Sequence, residues 1–436
     1  MNRIQKLTAL CGLILSLSNR ALAGFDSSAS NNIAVYWGQN SINRASGGQQ
    51  RLSFYCADSP INIIPMAFLY EIKNPATTIN FANAGDNCTA ISGSQILSCP
   101  QIEEDIQTCQ SAHNKSLLLS IGGATYTEGG FTSPAEAISF AGTVWSMFGP
   151  KNSSSSVERP FGEAVIDGFD IDLEAGSQHM IDFVGELRRL MDADTTKKYY
   201  LSGAPQCFFP DAAMGDLMDE VPFDFVNVQF YNNDCGVINW RSGGATQDKF
   251  NFDIWDKWAK GQSKNKDVRV LLGIPGSAMA GGGYVSGDAL RGVIEYSKQF
   301  GSFGGVMMWD MSQVYGNAGF LDSISAALGS ASQPSGQPIS QSLSQSTGQS
   351  TSWLSNQPSF VTVTTVVTVN VTNTVFPSEL ALLATTSTEN AIITSALTET
   401  LVPQWGRCGG SSYSGATSCV PPYQCVYVGD WWSDCR

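Results

Sequence analysis

Histidine is nearly missing from this chain: His113 and His179 are the only two among 436 residues. A Ser-His-Asp hydrolase needs a histidine to carry its proton, and many metal centres draw on imidazole ligands, so both chemistries are poorly supplied. Neither histidine falls at the end of a predicted strand. Charge is scarce as well. Asp, Glu, Lys and Arg make up 14% of the chain, with 24 basic against 38 acidic residues and a formal net charge of −14. An acidic protein is repelled by nucleic acid and by anionic membranes, which argues against both as partners; a neutral polymer is unaffected. No Gly-rich phosphate loop supports a doubly wound nucleotide-binding sheet. After the first apolar run, 7–17, no second long apolar stretch exists, and the C-terminus lacks the hydrophobic tail of a lipid-anchor signal.

That first run is informative. Arg3 and Lys6 precede it, and Ala21-Leu22-Ala23 offers small residues for cleavage after Ala23. Residues 1–23 therefore read as a secretory signal peptide, too short to span a bilayer, and the protein as secreted and extracellular. Cleavage removes Cys11 and leaves ten cysteines, an even number suited to five disulfides in an oxidising compartment. Six lie between Cys56 and Cys235 and four between Cys408 and Cys435, so two separate frameworks are expected. Sequons at Asn87, Asn114, Asn152 and Asn370 are candidate glycan acceptors, Asn87 being the weakest because Cys88 is its middle residue.

Residues 24–328 alternate strand-like and helix-like segments. Strands are expected at 33–38, 61–68, 116–121, 168–173, 199–204, 225–230, 269–273 and 304–309, several rich in Val, Ile, Leu and Phe as buried parallel strands are. Segments such as 180–191 and 289–300 are long enough for crossover helices. Eight such repeats fit an α/β fold, the (β/α)8 TIM barrel. Residues 329–403 shift abruptly to Ser, Thr, Gln and Pro, the composition of an extended, O-glycosylated linker. The Val/Thr alternation over 360–376 is the one strand-like stretch within it. Residues 404–436 hold four cysteines and three tryptophans. So small a unit needs its disulfides to hold a fold.

Side chains alternate across a strand, so in 168–174 Phe169, Ile171 and Leu173 share one face and Asp170, Asp172 and Glu174 the other. In a barrel the apolar set packs under the helices and the acids line the interior, with Glu174 at the C-terminal mouth where active sites of this fold lie. Three clustered carboxylates are too costly to bury by accident. A metal site would gather ligands from several strands and commonly use histidine. Glycoside hydrolysis fits better: like charges hold a proton on one of the acids, which can then donate it to a leaving oxygen. Two acids on one strand face cannot flank a sugar from opposite sides, which points to a substrate that supplies its own nucleophile. In 226–231, Asn227, Gln229 and Tyr231 form a second inward polar row that needs partners.

The run Asp167-Gly-Phe-Asp170-Ile-Asp172-Leu-Glu174 resembles the DGxDxDxE signature of glycoside hydrolase family 18. Ile33-Ala-Val-Tyr36-Trp37-Gly38-Gln39-Asn40, Leu119-Ser120-Ile-Gly122-Gly123, Ala204-Pro-Gln206-Cys207, Val228-Gln229-Phe-Tyr231-Asn232-Asn233 and Gly304-Gly-Val-Met-Met-Trp309 extend the likeness to the class III, hevamine-like chitinases. The resemblance implies a retaining, substrate-assisted endo-chitinase acting on β-1,4-linked N-acetylglucosamine. Glu174 would be acid and base, Asp172 would hold the acetamide, Asp170 would tune Asp172, and Tyr231 would bond the acetamido oxygen. Tyr36, Gln39, Gly123, Gln229, Asn232 and Trp309 would meet the substrate, Trp309 as its floor. Asp167, off the parity of the other acids, is expected to be structural. The resemblance implies the pairs Cys56–Cys109, Cys88–Cys99 and Cys207–Cys235. It implies no cofactor and no metal, and the protein is expected to act as a monomer. Alternatives are an endo-N-acetylglucosaminidase acting on N-glycans and a non-catalytic chitin-binding protein. The short stretch between strands seven and eight leaves no room for the inserted domain of other chitinase branches, which implies an open groove.

The terminal unit resembles a fungal-type family 1 carbohydrate-binding module. That likeness implies the pairs Cys408–Cys425 and Cys419–Cys435 and a flat face of Trp405, Trp431 and Trp432, with a place in the mini-core as the alternative for Trp432. Gly429 and Asp434 stand where the family has Asn and Gln. Chitin, cellulose or both are the expected ligands.

Overall fold

A computed structural model describes residues 24–329, apart from 45–47, 58, 74–77, 95 and 245, and in the C-terminal region 401–402, 407–409, 416–429 and 432–435. The signal-peptide and linker readings, the 360–376 stretch, Trp405, Trp431 and the side chain of Trp432 lie outside the described residues. The chain divides into two units, 1–341 and 342–436.

The first unit is a closed parallel barrel. Its strands are β1 (Asn32–Val35), β2 (Ile63–Glu71), β3 (Ser116–Gly122), β4 (Gly168–Asp172), β5 (Tyr200–Gly203), β6 (Phe225–Gln229), β7 (Arg269–Pro275) and β8 (Phe303–Trp309). They pair in the order β1-β8-β7-β6-β5-β4-β3-β2, and β2 returns to β1 through Ala34 opposite Ile63. All eight expected strands are present, with ends shifted by a few residues. The expected 33–38 stops at Val35, although a bridge from Trp37 to Met66 continues the pairing. β4 ends at Asp172, so Glu174 stands two residues beyond the sheet.

Helices α1 (Leu52–Cys56), α2 (Pro100–Ser111), α3 (Pro134–Phe148), α4 (Met180–Ala193), α5 (Gly215–Glu220), α6 (Phe252–Gly261), α7 (Gly287–Ser297), α8 (Met311–Tyr315) and α9 (Phe320–Leu328) follow the strands. Helix α3 shows how their starts are encoded: Pro134 needs no N–H partner in the first turn, and the Ser133 hydroxyl accepts from Glu136 N at 3.2 Å. Only one helix, α7, lies between β7 and β8.

Strand parity divides the core in two. Phe169, Ile171 and Leu173, with Val226, Val228 and Phe230, join the apolar layer between sheet and helices. Ala34, Tyr36, Ile63, Leu118, Phe225, Leu271 and Met307 fill the barrel interior. Phe25 closes the floor, its ring 5.2 Å from Tyr200 and 4.4 Å from Phe225 at the first residues of β5 and β6. With the lower interior filled by apolar groups, the polar row is left to the C-terminal half.

The second unit contains a three-stranded antiparallel sheet of β9 (Arg407–Gly409), β10 (Cys425–Gly429) and β11 (Trp432–Cys435), with β11 in the centre. Disulfides Cys408–Cys425 and Cys419–Cys435 staple it. The barrel carries Cys56–Cys109, Cys88–Cys99 and Cys207–Cys235. These are the same five pairs that the two resemblances imply. Among the described residues no helix is long and apolar enough to cross a membrane.

Candidate active site

The register of β3, β4 and β5 stacks Ser120, Asp170 and Ser202 side by side in the barrel interior. Asp170 is fully buried and accepts four hydrogen bonds: Tyr36 Oη at 2.7 Å, Ser120 Oγ at 2.7 Å, Ser202 Oγ at 2.5 Å and Asn227 Nδ2 at 3.4 Å. Burial pushes its proton affinity up, and these donors oppose that push. Tyr36 is buried too, and burial together with the charge of Asp170 holds its phenol well above the usual range, fixed as a donor.

One layer higher, Asp172 is buried and accepts one hydrogen bond, from Gln229 Nε2 at 3.1 Å. Gln229 is oriented by a second bond to Ala204 O at 2.8 Å. Burial raises Asp172 well above the usual carboxylate range, and Glu174, Asp170 and Asp211 push it further. Glu174 is exposed to solvent at the mouth and makes no hydrogen bond among the described residues. The surrounding protein raises it, and Asp211 adds to the effect. Burial and mutual repulsion therefore favour a proton on the Asp172–Glu174 pair relative to two isolated carboxyls. Tyr231 ends the inward row after β6. It is 5% exposed, and its hydroxyl bonds to no described residue. Burial and the acid row keep that hydroxyl protonated.

The remaining predicted contacts surround this row. Trp309, half-buried at the end of β8, stacks on Phe68 with centroids 5.9 Å apart and tilts against Tyr36 at 5.6 Å. Gly123 N donates to Asp172 O at 2.7 Å. Gln39 Nε2 is held by Ala67 O at 2.8 Å and Asn80 O at 2.9 Å. Asn232 is exposed and bonded through Oδ1 to Gly282 N. Asp167 lies at the opposite end of the barrel, tied to Leu117 N, Gln110 Nε2 and Lys197 Nζ.

Sequence reasoning missed Ser120 and Ser202 as partners of Asp170, Phe68 as the ring under Trp309, and Asp211. Strand parity could have found Ser202, which points inward between Leu201 and Gly203. Nothing local marks Asp211, whose proximity to the acid row is set by the barrel's closure.

Chemically, the row offers one solvent-facing acid, one buried acid beside it, a free phenol and an aromatic floor. Every carboxylate of this row stands on one side of the mouth, along β4.

Comparison with known proteins agrees with this arrangement. Residues 32–283 match the glycosyl hydrolases family 18, and residues 404–432 match the fungal cellulose binding domain. The chain is 54% identical over 323 residues to Endochitinase 33 of Trichoderma harzianum, covering 74% of this chain and 99% of that one. It is 43% identical to a class III chitinase of Arthroderma benhamiae, covering 76% and 96%. Among solved structures, a chitinase from Ipomoea carnea superposes with a TM-score of 0.53 at 27% identity, covering 68% of this chain and 100% of that one. A xylanase and α-amylase inhibitor protein from Scadoxus multiflorus superposes with a TM-score of 0.54 at 25% identity, covering 68% and 98%.

Proposed function

The chain belongs to glycosyl hydrolase family 18, and on that premise we propose that it is a secreted endo-chitinase that cleaves β-1,4 bonds between N-acetylglucosamine units by substrate-assisted retention. The observation that carries the reading is the position of the acids: Asp172 and Glu174 follow one another up a single side of the mouth, and Glu174 alone meets solvent. An enzyme nucleophile would have to face the sugar from the other side. The substrate's own acetamido oxygen fills that role.

Glu174 protonates the glycosidic oxygen as the acetamide oxygen attacks the anomeric carbon, giving a cyclic oxazolinium and a free leaving sugar. Asp172 faces the acetamide nitrogen and stabilises the positive charge that grows there. Tyr231 donates its free hydroxyl to the acetamide oxygen. Glu174, now a carboxylate, takes a proton from the water that reopens the ring. Asp170, Tyr36, Ser120 and Ser202 hold Asp172 from below. Trp309 supports the sugar ring; Gln39, Gly123, Gln229 and Asn232 complete the binding surface. Only α7 separates β7 from β8, which leaves the groove open and supports cutting within chains.

The C-terminal unit, of the fungal cellulose-binding type, serves as an anchor on insoluble polymer, with chitin and cellulose as its candidate ligands. Trp405, Trp431 and Trp432 supply its binding face. The composition of 329–403 supports a tether, and the signal-like residues 1–23 support secretion.

Assays on soluble chitin oligomers test the mechanism. Glu174→Gln should lose about 10²-fold to 10⁴-fold in kcat, the usual contribution of a positioned general acid. Asp172→Asn should lose a comparable factor. Near-wild-type rates in either variant would sink the scheme.

A further inference from the structure

Three consecutive loops of the mouth expose large apolar side chains that the scheme above leaves unused. The loop after β5 carries Phe208, 52% exposed, the loop after β6 carries Ile238, 51% exposed, and the loop after β7 carries Met279, 75% exposed. A single exposed apolar residue needs no explanation. These three follow neighbouring strands on one side of the mouth, across two strand spacings, about 10 Å.

The loops are tied to one another. Cys207 is bonded to Cys235, and Asn233 Nδ2 donates to Gln206 Oε1 at 3.1 Å, which joins the first loop to the second. Asn232 N donates to Gly282 O at 2.8 Å and Gly282 N to Asn232 Oδ1 at 2.6 Å, which joins the second to the third. A Cβ on Gly283 would lie 3.5 Å from Ile238 Cγ2, so Ile238 rests against the third loop. The other two side chains are held at their roots. Cys207 O accepts from Asn251 Nδ2 at 2.8 Å and Trp255 Nε1 at 3.1 Å, and Phe209 packs on Trp255 with centroids 5.3 Å apart. Phe208 thus faces solvent from an anchored main chain. Ser277 Oγ accepts from Met279 N at 3.1 Å and donates to Gln313 Oε1 at 2.6 Å.

This rim begins at the acid site. Gln206 bridges to Gln229, whose amide bonds Asp172. Gly276 N donates to Trp309 O at 2.6 Å, and a Cβ on Gly281 would lie 3.5 Å from Tyr231 Cδ2. Its tie points are therefore neighbours of the groups assigned to the reacting sugar.

We infer that Phe208, Ile238 and Met279 form a second binding surface, which takes the apolar faces of sugar units beyond the one held at Asp172 and Tyr231. The inference rests on the chitinase reading. A neutral pyranose presents C–H faces that gain by burial against apolar side chains and require no charge. A rim fixed in advance by a disulfide and hydrogen bonds loses little freedom on binding. Binding energy from such remote units can be turned into rate at the reacting bond.

The test compares kcat/KM on two soluble chitin oligomers, the shortest that the full chain cleaves and one three units longer, with the Tm of each variant. Phe208→Ala and Met279→Ala should each lower kcat/KM on the longer oligomer about threefold to tenfold and leave the shorter within about twofold of wild type. Phe54→Ala, which removes a ring 55% exposed on α1, is the control and should treat both lengths alike. A longer-to-shorter ratio that keeps its wild-type value in both rim variants, or that falls as far in Phe54→Ala, overturns the inference. If the unaltered chain releases no product from any chitin oligomer, the chitinase reading fails and the rim falls with it. If it cleaves them and the ratio stands still, only the rim fails.

Discussion

Asp170 and Asp172 are two residues apart on one strand and burial raises both, yet their surroundings oppose that push unequally. Asp170 has hydroxyls from three strands or strand ends turned toward it, and an amide besides. Asp172 has a single amide and three acids, Glu174, Asp170 and Asp211, pushing its proton affinity up. A carboxyl whose folded proton affinity exceeds its unfolded one costs stability as pH rises. The folded state binds more protons, so stability is highest below the unfolded pKa, about 3.9, and falls as pH climbs from there toward the raised value. Asp172→Asn removes that loss, keeping an oxygen for Gln229 Nε2. Its Tm should exceed wild type at pH 7, by about 2–4 °C for each kcal/mol recovered. The gain should vanish below about pH 4. Thermal denaturation across that range checks it; a Tm deficit at neutral pH would contradict the assignment of strain to this carboxyl. At this scale the sequence was legible through parity, which placed Asp170, Asp172 and Glu174 on one face. Parity also turns Ser202 and Asn227 inward, but which acid they meet was not legible, because Tyr36, Ser120, Ser202 and Asn227 come from four other strand segments and converge on Asp170 only once the barrel closes.

Among the elements, the strands were readable because their fully buried runs leave no ambiguity of face, and their ends were not because backbone contacts decide them. Gly122 and Gly123 show why. Both have positive φ, +114° and +83°, a region that glycine enters without penalty. A Cβ on Gly122 would lie 2.2 Å from Asp172 O, so β3 and β4 approach too closely there for any side chain. A Cβ on Gly123 would lie 2.8–2.9 Å from the ring of Phe68, the ring that stacks on Trp309. Gly123→Ala should therefore act in two ways. The strained backbone should cost about 1–3 kcal/mol, visible as a lower Tm. The displaced Phe68 should tilt Trp309 and raise KM for oligomers more than it lowers kcat, since in the proposed scheme Trp309 supports the sugar without joining the proton transfers. A variant with wild-type KM would show that the Phe68–Trp309 stack is not part of the binding floor.

The whole molecule joins a catalytic barrel to a small stapled sheet through 75 residues of Ser, Thr, Gln and Pro-rich sequence, 329–403. Cysteine spacing made the terminal unit legible, because so few residues must rely on disulfides and few pairings satisfy the family pattern. Its ligand is less legible: Gly429 and Asp434 stand where the family has residues that bond sugar hydroxyls, which in the proposed reading shifts affinity toward stacking. The net charge of −14 gives no attraction to a neutral polymer, so in that reading residence at the surface depends on stacking. In the proposed reading a docked module keeps the barrel beside the polymer and raises the effective concentration of chain it can reach. Soluble oligomers gain nothing from this, since they diffuse to the barrel freely. Deleting residues 404–436 should leave kcat/KM on soluble oligomers unchanged and lower the rate on insoluble chitin on the order of tenfold at low enzyme loading. High loading should shrink the difference, because crowding the surface with enzyme replaces the function of the anchor. Equal losses on both substrates would mean that the terminal unit supports the barrel itself, and retention of full activity on insoluble chitin with loss of cellulose binding would assign the module to a different polymer from the one the barrel cuts.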